Sequence, residues 1–169
     1  VSMYQVDDYV VCGNKGPCVV ESIGPLEFNS SGNLYYTLVP LSNLGSKIFI
    51  PIEKEESRMR PVLSKEEAMD LLNHIGMIEP IGITEEKRRE EIYKENVNGG
   101  NCTNLLQMIK TLSLRIQKRK ENGKKITAID EKYFHIAEDR LYSELALSLG
   151  TEREKIKKYV AEYFTPAWN

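Results

Sequence analysis

A change of hydrophobic period near Pro61 constrains this chain more than any other feature of its sequence. Before it, apolar residues come in short runs rich in β-branched and aromatic side chains, each closed by a turn signal. Tyr9-Val10-Val11-Cys12 stops at Gly13-Asn14-Lys15-Gly16, and Cys18 to Ile23 stops at Gly24-Pro25. Leu34 to Val39 follows the loop Asn29-Ser30-Ser31-Gly32-Asn33, and Lys47-Ile48-Phe49-Ile50 stops at Pro51. Such runs read as strands, and their spacing predicts a small twisted antiparallel barrel or open sheet of SH3-like or Tudor-like shape.

After Pro61 the period becomes helical. Ser64 with Glu67 forms a capping box, in which the serine oxygen takes an orphan backbone N–H and the glutamate reaches back, ahead of Ala68, Leu71, Leu72 and Ile75. A second helix is expected from about Thr84 through Ile92 and Tyr93 to Asn98-Gly99-Gly100. A third, over about 102–121, carries Leu105, Ile109, Leu112 and Ile116 on one stripe and ends at Asn122-Gly123. Thr127 caps a fourth, whose Phe134, Ala137, Leu141, Leu145 and Leu149 share a face before Gly150. Thr151 and Glu154 make a second capping box and open a last short helix with Ile156, Tyr159, Val160 and Phe164. The expected fold class is therefore α+β. A small antiparallel Tudor/SH3-like β domain over residues 3–58 precedes an all-α helical domain over 62–165, with the charged stretch 53–60 as connector. Val1 and Ser2, ahead of Met3, read as an added remnant and are left out of the fold.

Composition excludes several function classes. With 41% hydrophobic and 28% charged residues the chain can bury a core, so wholesale disorder is not expected. No apolar run approaches the roughly 20 residues of a membrane span, and no basic segment with an apolar signal core opens the sequence; a cytoplasmic location and no membrane partner are expected. Three cysteines, Cys12, Cys18 and Cys102, make no CxxC pair, and His74 and His135 stand apart, so no metal site or disulfide framework is expected. His74 reads as a dipole contact at a helix end, His135 as packing or surface. Gly13-Asn14-Lys15-Gly16 is too short for a phosphate loop and reads as a turn. No catalytic residue, cofactor or small-molecule substrate is nominated.

Two stretches carry functional signal. Lys110, Arg115, Lys118, Arg119, Lys120, Lys124 and Lys125 stand against the single acid Glu121, a local balance of +6 in a chain of net charge −2. Such a run is often a solvated helix face. Here it continues across Asn122-Gly123 without interleaved acids, which suits phosphate contacts. Lys87, Arg88, Arg89 and Lys94 form a weaker cluster diluted by five glutamates between 85 and 95, which by itself reads as an ion-paired surface. The second stretch is Ile48-Phe49-Ile50-Pro51, apolar where a half-wet strand would alternate. It is either buried on both faces or an edge strand open to pairing with a partner's strand, and one buried face with a docked edge satisfies both.

Met3 to Val11, Gly16, Val19 to Ile23 and Ile48-Phe49-Ile50-Pro51 together resemble the opening of the CarD/CdnL family of transcription regulators, a module shared with the transcription-repair coupling factor. The likeness continues more loosely through Arg88-Arg89, Leu112 to Arg119, Gly123-Lys124-Lys125-Ile126-Thr127, Ala137 to Leu141 and Glu144-Leu145-Ala146, and so runs from Met3 to about Phe164. The resemblance implies that the Tudor-like module docks on the β subunit of RNA polymerase through Leu26, Ile48, Phe49, Ile50 and Pro51. It also implies that the helical module meets promoter DNA at the upstream edge of the transcription bubble and stabilises the melted complex. The implied DNA set is Ile83, Lys87, Arg88, Arg89, Lys94, Lys118, Arg119, Lys120, Lys124 and Lys125.

Several positions depart from the family pattern. Asp7 stands where glycine is usual and Cys12 where an aromatic is usual. Leu26 and Phe49 stand where some members have polymerase-contacting arginines, which implies a more apolar contact. Several members place a minor-groove tryptophan just before the paired arginines; here Glu86-Lys87 precedes Arg88-Arg89, the only tryptophan is Trp168, and Ile83 is the smaller candidate wedge. The reading from a different class is a free-standing nucleic-acid-binding module, RNA- or ribosome-associated, which would bind strongly alone and with a steep salt dependence.

Overall fold

The charged stretch expected to link the two domains folds into the first of them. In a computed structural model that describes residues 2–99 and 101–164, Glu55–Arg58 forms a short helix α1 and Met59–Pro61 a strand β5. Strand β5 pairs antiparallel with β1, Tyr9–Cys12, setting Met59 opposite Cys12 and Arg60 opposite Val11. Three residues are too few to announce a strand by alternation, so this one is invisible in the sequence pattern. Gly100, the C-terminal residue 165 of the expected helical domain and Trp168 lie outside the described residues, as does Val1.

The remaining strands follow the sequence reading to within a residue or two. They are β2, Gly16–Gly24; β3, Tyr35–Pro40; and β4, Ile48–Pro51, giving one antiparallel sheet in the order β4-β3-β2-β1-β5. A bulge between Val20 and Ser22 shifts the β2–β3 register, and extra residues of this kind increase local twist. The inner face collects Val10, Cys12, Cys18, Val20, Tyr36, Leu38, Ile50 and Met59. Burial pushes the Cys18 thiol up to about 12, leaving it a neutral packing group. The chain before β1 closes the open end: the Tyr4 N–H donates to the Tyr36 hydroxyl at 3.3 Å, and that hydroxyl donates to the Glu55 carboxylate on α1.

The helical part is α2, Lys65–Asn73; α3, Arg89–Asn98; α4, Cys102–Glu121; α5, Ala128–Leu149; and α6, Arg153–Phe164. Ser64 and Glu67 make the expected capping box, and the Thr127 side chain accepts the Asp130 N–H. Gly150 ends α5 at φ 63°, the left-handed conformation that glycine adopts without steric cost. Helix α3 begins later than the sequence suggests. Residues up to Glu85 are irregular and Glu86–Arg88 is a single 3-10 turn, because Lys110, Thr111 and Arg115 of α4 hold this segment by its backbone and by Glu86. One core runs through the helices, centred on α5, where Ala137, Leu141 and Leu145 are fully buried against Leu105, Ile109 and Leu112 of α4. The buried Glu144 carboxylate accepts the Leu63 N–H at 3.0 Å and the Cys102 thiol at 3.2 Å. The α+β class thus stands, as two compact units, Val1–Val62 and Leu63–Asn169, each with its own core.

Asp7, the departure from the family's glycine, has φ 75°, and its N–H donates to the Val20 carbonyl at 2.8 Å. A left-handed residue with a Cβ is strained by roughly 1 kcal/mol, and aspartate is among the few side chains that tolerate it. Asp7→Gly is therefore expected to raise the urea midpoint of the full chain, by up to about 1 kcal/mol of stability; a lowered midpoint would show that the side chain does more than fill the turn.

Candidate functional site

In the N-terminal unit the site residues fall along one edge of the sheet. Strand β4 has β3 on one side only, Phe49 opposite Thr37 and Ile50 opposite Tyr36, so its other side carries unpaired backbone groups. Register puts Ile48 and Ile50 towards the core and Phe49 and Pro51 on the outer face. Unbroken apolar character at Ile48-Phe49-Ile50 is thereby explained: Ile50 is fully buried, while Phe49 is half-buried under the ring of Phe28. The two rings meet edge to face with centroids 5.3 Å apart, and Phe28 itself remains 74% exposed. Leu26, in the same loop, is half-buried. Edge backbone flanked by Phe49 and Phe28 forms an apolar ledge able to accept an added strand and its side chains. Phe28 was not singled out by the sequence, since it sits in a turn-rich loop outside any periodic run.

In the C-terminal unit the two basic clusters diverge. Lys118, Lys120, Lys124 and Lys125 are exposed around the α4–α5 turn, and Arg119 donates to the Lys125 carbonyl at 2.9 Å, closing that turn. Lys110 and Arg115, counted in the same run, point elsewhere: Lys110 donates to the Ile78 carbonyl and lies over the Phe164 ring. On α3 and the turn before it, Lys87 and Lys94 are exposed, and Arg88 meets Glu91 at 3.5 Å with both side chains mostly in solvent. Arg89, its neighbour, turns inward and is only 14% exposed. Ile83 is half-buried against the helical core, and with Ile81, Leu114, Thr111 and Lys118 it lines a shallow groove of about 370 Å³.

Glu86, Arg89 and Arg115, which also line the groove, belong to a closed polar ring. Arg89 donates twice to Glu86, at 2.9 and 3.0 Å, and once to the Tyr93 hydroxyl at 2.8 Å. Tyr93 donates to Asp130 at 2.8 Å; Arg115 donates to the other Asp130 oxygen at 2.7 Å and to Glu86 at 3.2 Å. Asp130 is fully buried. Burial pushes its carboxyl up, but hydrogen bonds from Arg115, Tyr93 and Thr127 outweigh this and hold it below the usual carboxylate range. Burial, with Asp130 alongside, takes the Tyr93 phenol up to about 12, and the Arg89 guanidinium holds the Glu86 carboxyl down. The sequence pattern places Tyr93 within the second helix and does not single out Asp130. The one available signal was that Arg115 and Asp130 continue the apolar stripes of facing helices.

Among the described residues, no group of three or more acidic, histidine or cysteine side chains is placed to hold a metal, and no helix is long and apolar enough to cross a membrane. His74 Nδ1 sits 2.8 Å from the Asp70 carbonyl, and His135 is exposed beside a polar cleft between α5 and α6.

Residues 4–63, about a third of the chain, match the family model described as the CarD-like/TRCF RID domain, a family of modules that interact with the RNA polymerase β subunit. No curated protein matches the chain. The N-terminal unit is thus a CarD-like/TRCF RID module, and its family is one of protein interaction.

Because Asp130 is more acidic folded than unfolded, its contribution to stability is complete above the usual carboxylate range and is lost as the pH falls through its folded value. Asp130→Asn strands Arg115 and is expected to cost about 3 kcal/mol at neutral pH. The gap from the parent protein should narrow steadily in urea unfolding from pH 7 to 3. A gap independent of pH would contradict this.

Proposed function

We propose that the chain is a bacterial transcription regulator that holds RNA polymerase with its N-terminal module and stabilises the promoter open complex through its helical unit. The observation that carries the first half is the β4 edge within a polymerase-interacting module, apolar on its outer side and unpaired along its backbone. Leu26, Phe28, Phe49 and Pro51 would supply the side-chain contacts and the backbone of Ile48 to Ile50 the hydrogen bonds. The second half rests on the exposed cations Lys118, Lys120, Lys124 and Lys125 around the half-buried Arg119 at the α4–α5 turn, with the exposed Lys87, Arg88 and Lys94 on α3 and the turn before it.

The division of labour has a physical logic. A chain of net charge −2 with one basic turn binds DNA weakly by itself. Tethering to polymerase converts the DNA contact into an intramolecular one at high effective concentration, so a few phosphate contacts at the upstream fork suffice. Ile83, half-buried in the wall of the groove, would offer those phosphates a small apolar neighbour rather than the deep wedge of a tryptophan. No reaction is assigned to the chain, and the assignment places it in the cytoplasm with polymerase.

Phe49→Asp is expected to abolish co-purification with the RNA polymerase β subunit while the helical signal in circular dichroism is unchanged; retained binding would move the docking surface elsewhere. Reversal of Lys118, Arg119 and Lys120 to glutamate should leave that binding intact but shorten the lifetime of promoter open complexes by about tenfold or more, each lost phosphate contact contributing a factor of a few. An unchanged lifetime would remove the helical unit from the DNA.

A further inference from the structure

Arg88 and Arg89 are sequence neighbours with opposite surroundings, one in solvent and one built into the polar ring. The five members of that ring come from four parts of the helical unit. Glu86 lies in the turn before α3, Arg89 and Tyr93 on α3, Arg115 on α4 and Asp130 on α5. The same three-helix junction also fixes the irregular segment that leads into Glu86: Ile81 N–H donates to Thr111 Oγ1 at 2.8 Å, the Thr111 hydroxyl donates back to Gln107 at 2.7 Å, and Lys110 takes the Ile78 carbonyl. Residues 78–88 are thus stapled to α4 at both ends, by Lys110 and Thr111 at one and Arg115 at the other.

From this geometry we infer that Glu86, Arg89, Tyr93, Arg115 and Asp130 are positioning residues, which set the register of the Ile83–Arg88 segment against the cations of the α4–α5 turn without touching nucleic acid themselves. The inference rests on the DNA role proposed above. Arg89 and Arg115 line the groove, but their donors are already directed into Glu86, Tyr93 and Asp130, whereas Arg88 lies mostly in solvent. A phosphate reaching Arg89 would have to displace a bidentate carboxylate, whereas Lys87 and Arg88 already stand in solvent. Two short cationic patches on separate elements can meet one DNA fork only if their spacing is fixed. Distributing a single hydrogen-bonded circuit over α3, α4, α5 and the intervening turn fixes it.

The inference separates from simple electrostatics by sign. Glu86→Gln removes an acid that is 67% exposed and makes the helical unit more cationic, so a purely electrostatic DNA contact would tighten. Positioning predicts the reverse. With the ring opened at both Arg89 and Arg115, open-complex lifetime should fall by about fivefold, the factor expected for losing a well-made hydrogen bond of this kind. Glu95→Gln, the same charge change on the exposed side of α3, should leave the lifetime equal to or longer than that of the parent chain.

Tyr93→Phe supplies a second opening of the ring that keeps the aromatic packing against Tyr133 and alters no charge; it too should shorten the lifetime, and should also speed amide exchange at Ile81. A Glu86→Gln lifetime equal to or longer than that of the parent overturns the inference. Should the parent chain itself leave open complexes unaffected, the functional reading falls, and Ile81 exchange then decides the ring alone: acceleration in both variants supports it, and unchanged exchange overturns it.

Discussion

A fully buried carboxylate has to be met by donors on every side, and Asp130 imposes that requirement on the helical unit. Leaving such a group unpaired would cost several kcal/mol, so the helices that approach it must bring a guanidinium, a phenol and a capped N-terminus to fixed places. Arg115, Tyr93 and Thr127 do so. Their positions determine where α3 and α4 cross the start of α5, and through Glu86 they determine where the segment before α3 runs. Hydrophobic packing around Leu141 makes the unit stable; the polar ring makes its arrangement specific, because an apolar core tolerates small shifts that a hydrogen-bonded circuit does not.

The N-terminal unit meets a different constraint. A five-stranded sheet of this size covers one face and leaves two edges. At one edge β5 is only three residues long, which limits pairing there. At the other, β4 places Ile50 in the core and Phe49 outside, and among the described residues no strand covers its free side. An open edge is a hazard that proteins usually blunt with charge, a bulge or a covering loop. Here the partial cover is apolar, Phe28 over Phe49, which favours a partner.

Much of the fold was legible in the sequence because strong local signals coincide with elements. Turn glycines bracket β1 to β3, the Ser64–Glu67 box opens α2, and the stripes Leu105 to Ile116 and Phe134 to Leu149 fix α4 and α5. The signal failed where an element is held by tertiary contacts. β5 exists because Cys12 and Val11 offer it a ladder, and α3 starts late because α4 grips the turn before it. The candidate site divides in the same way. Edge character and the lysine turn are properties of contiguous residues, so pattern reading reaches them. The inward turn of Arg115 and Lys110 depends on partners 15 to 32 residues away and has no local signature, and that of Arg89 on Glu86 and Tyr93 being themselves held by Arg115 and Asp130. Cation counting consequently overstates the basic surface: of the seven cations between 110 and 125, Lys110 and Arg115 are structural.

The account turns on a DNA contact that is weak alone and effective only when tethered. Fluorescence anisotropy of a labelled promoter duplex, titrated with the full chain at low and physiological salt and then with polymerase present, tests it directly. The account predicts little binding at physiological salt by the chain alone and a stable ternary complex once polymerase is added. Tight binding by the chain alone, with a steep salt slope and no gain from polymerase, would contradict it and identify a free-standing nucleic-acid-binding module instead.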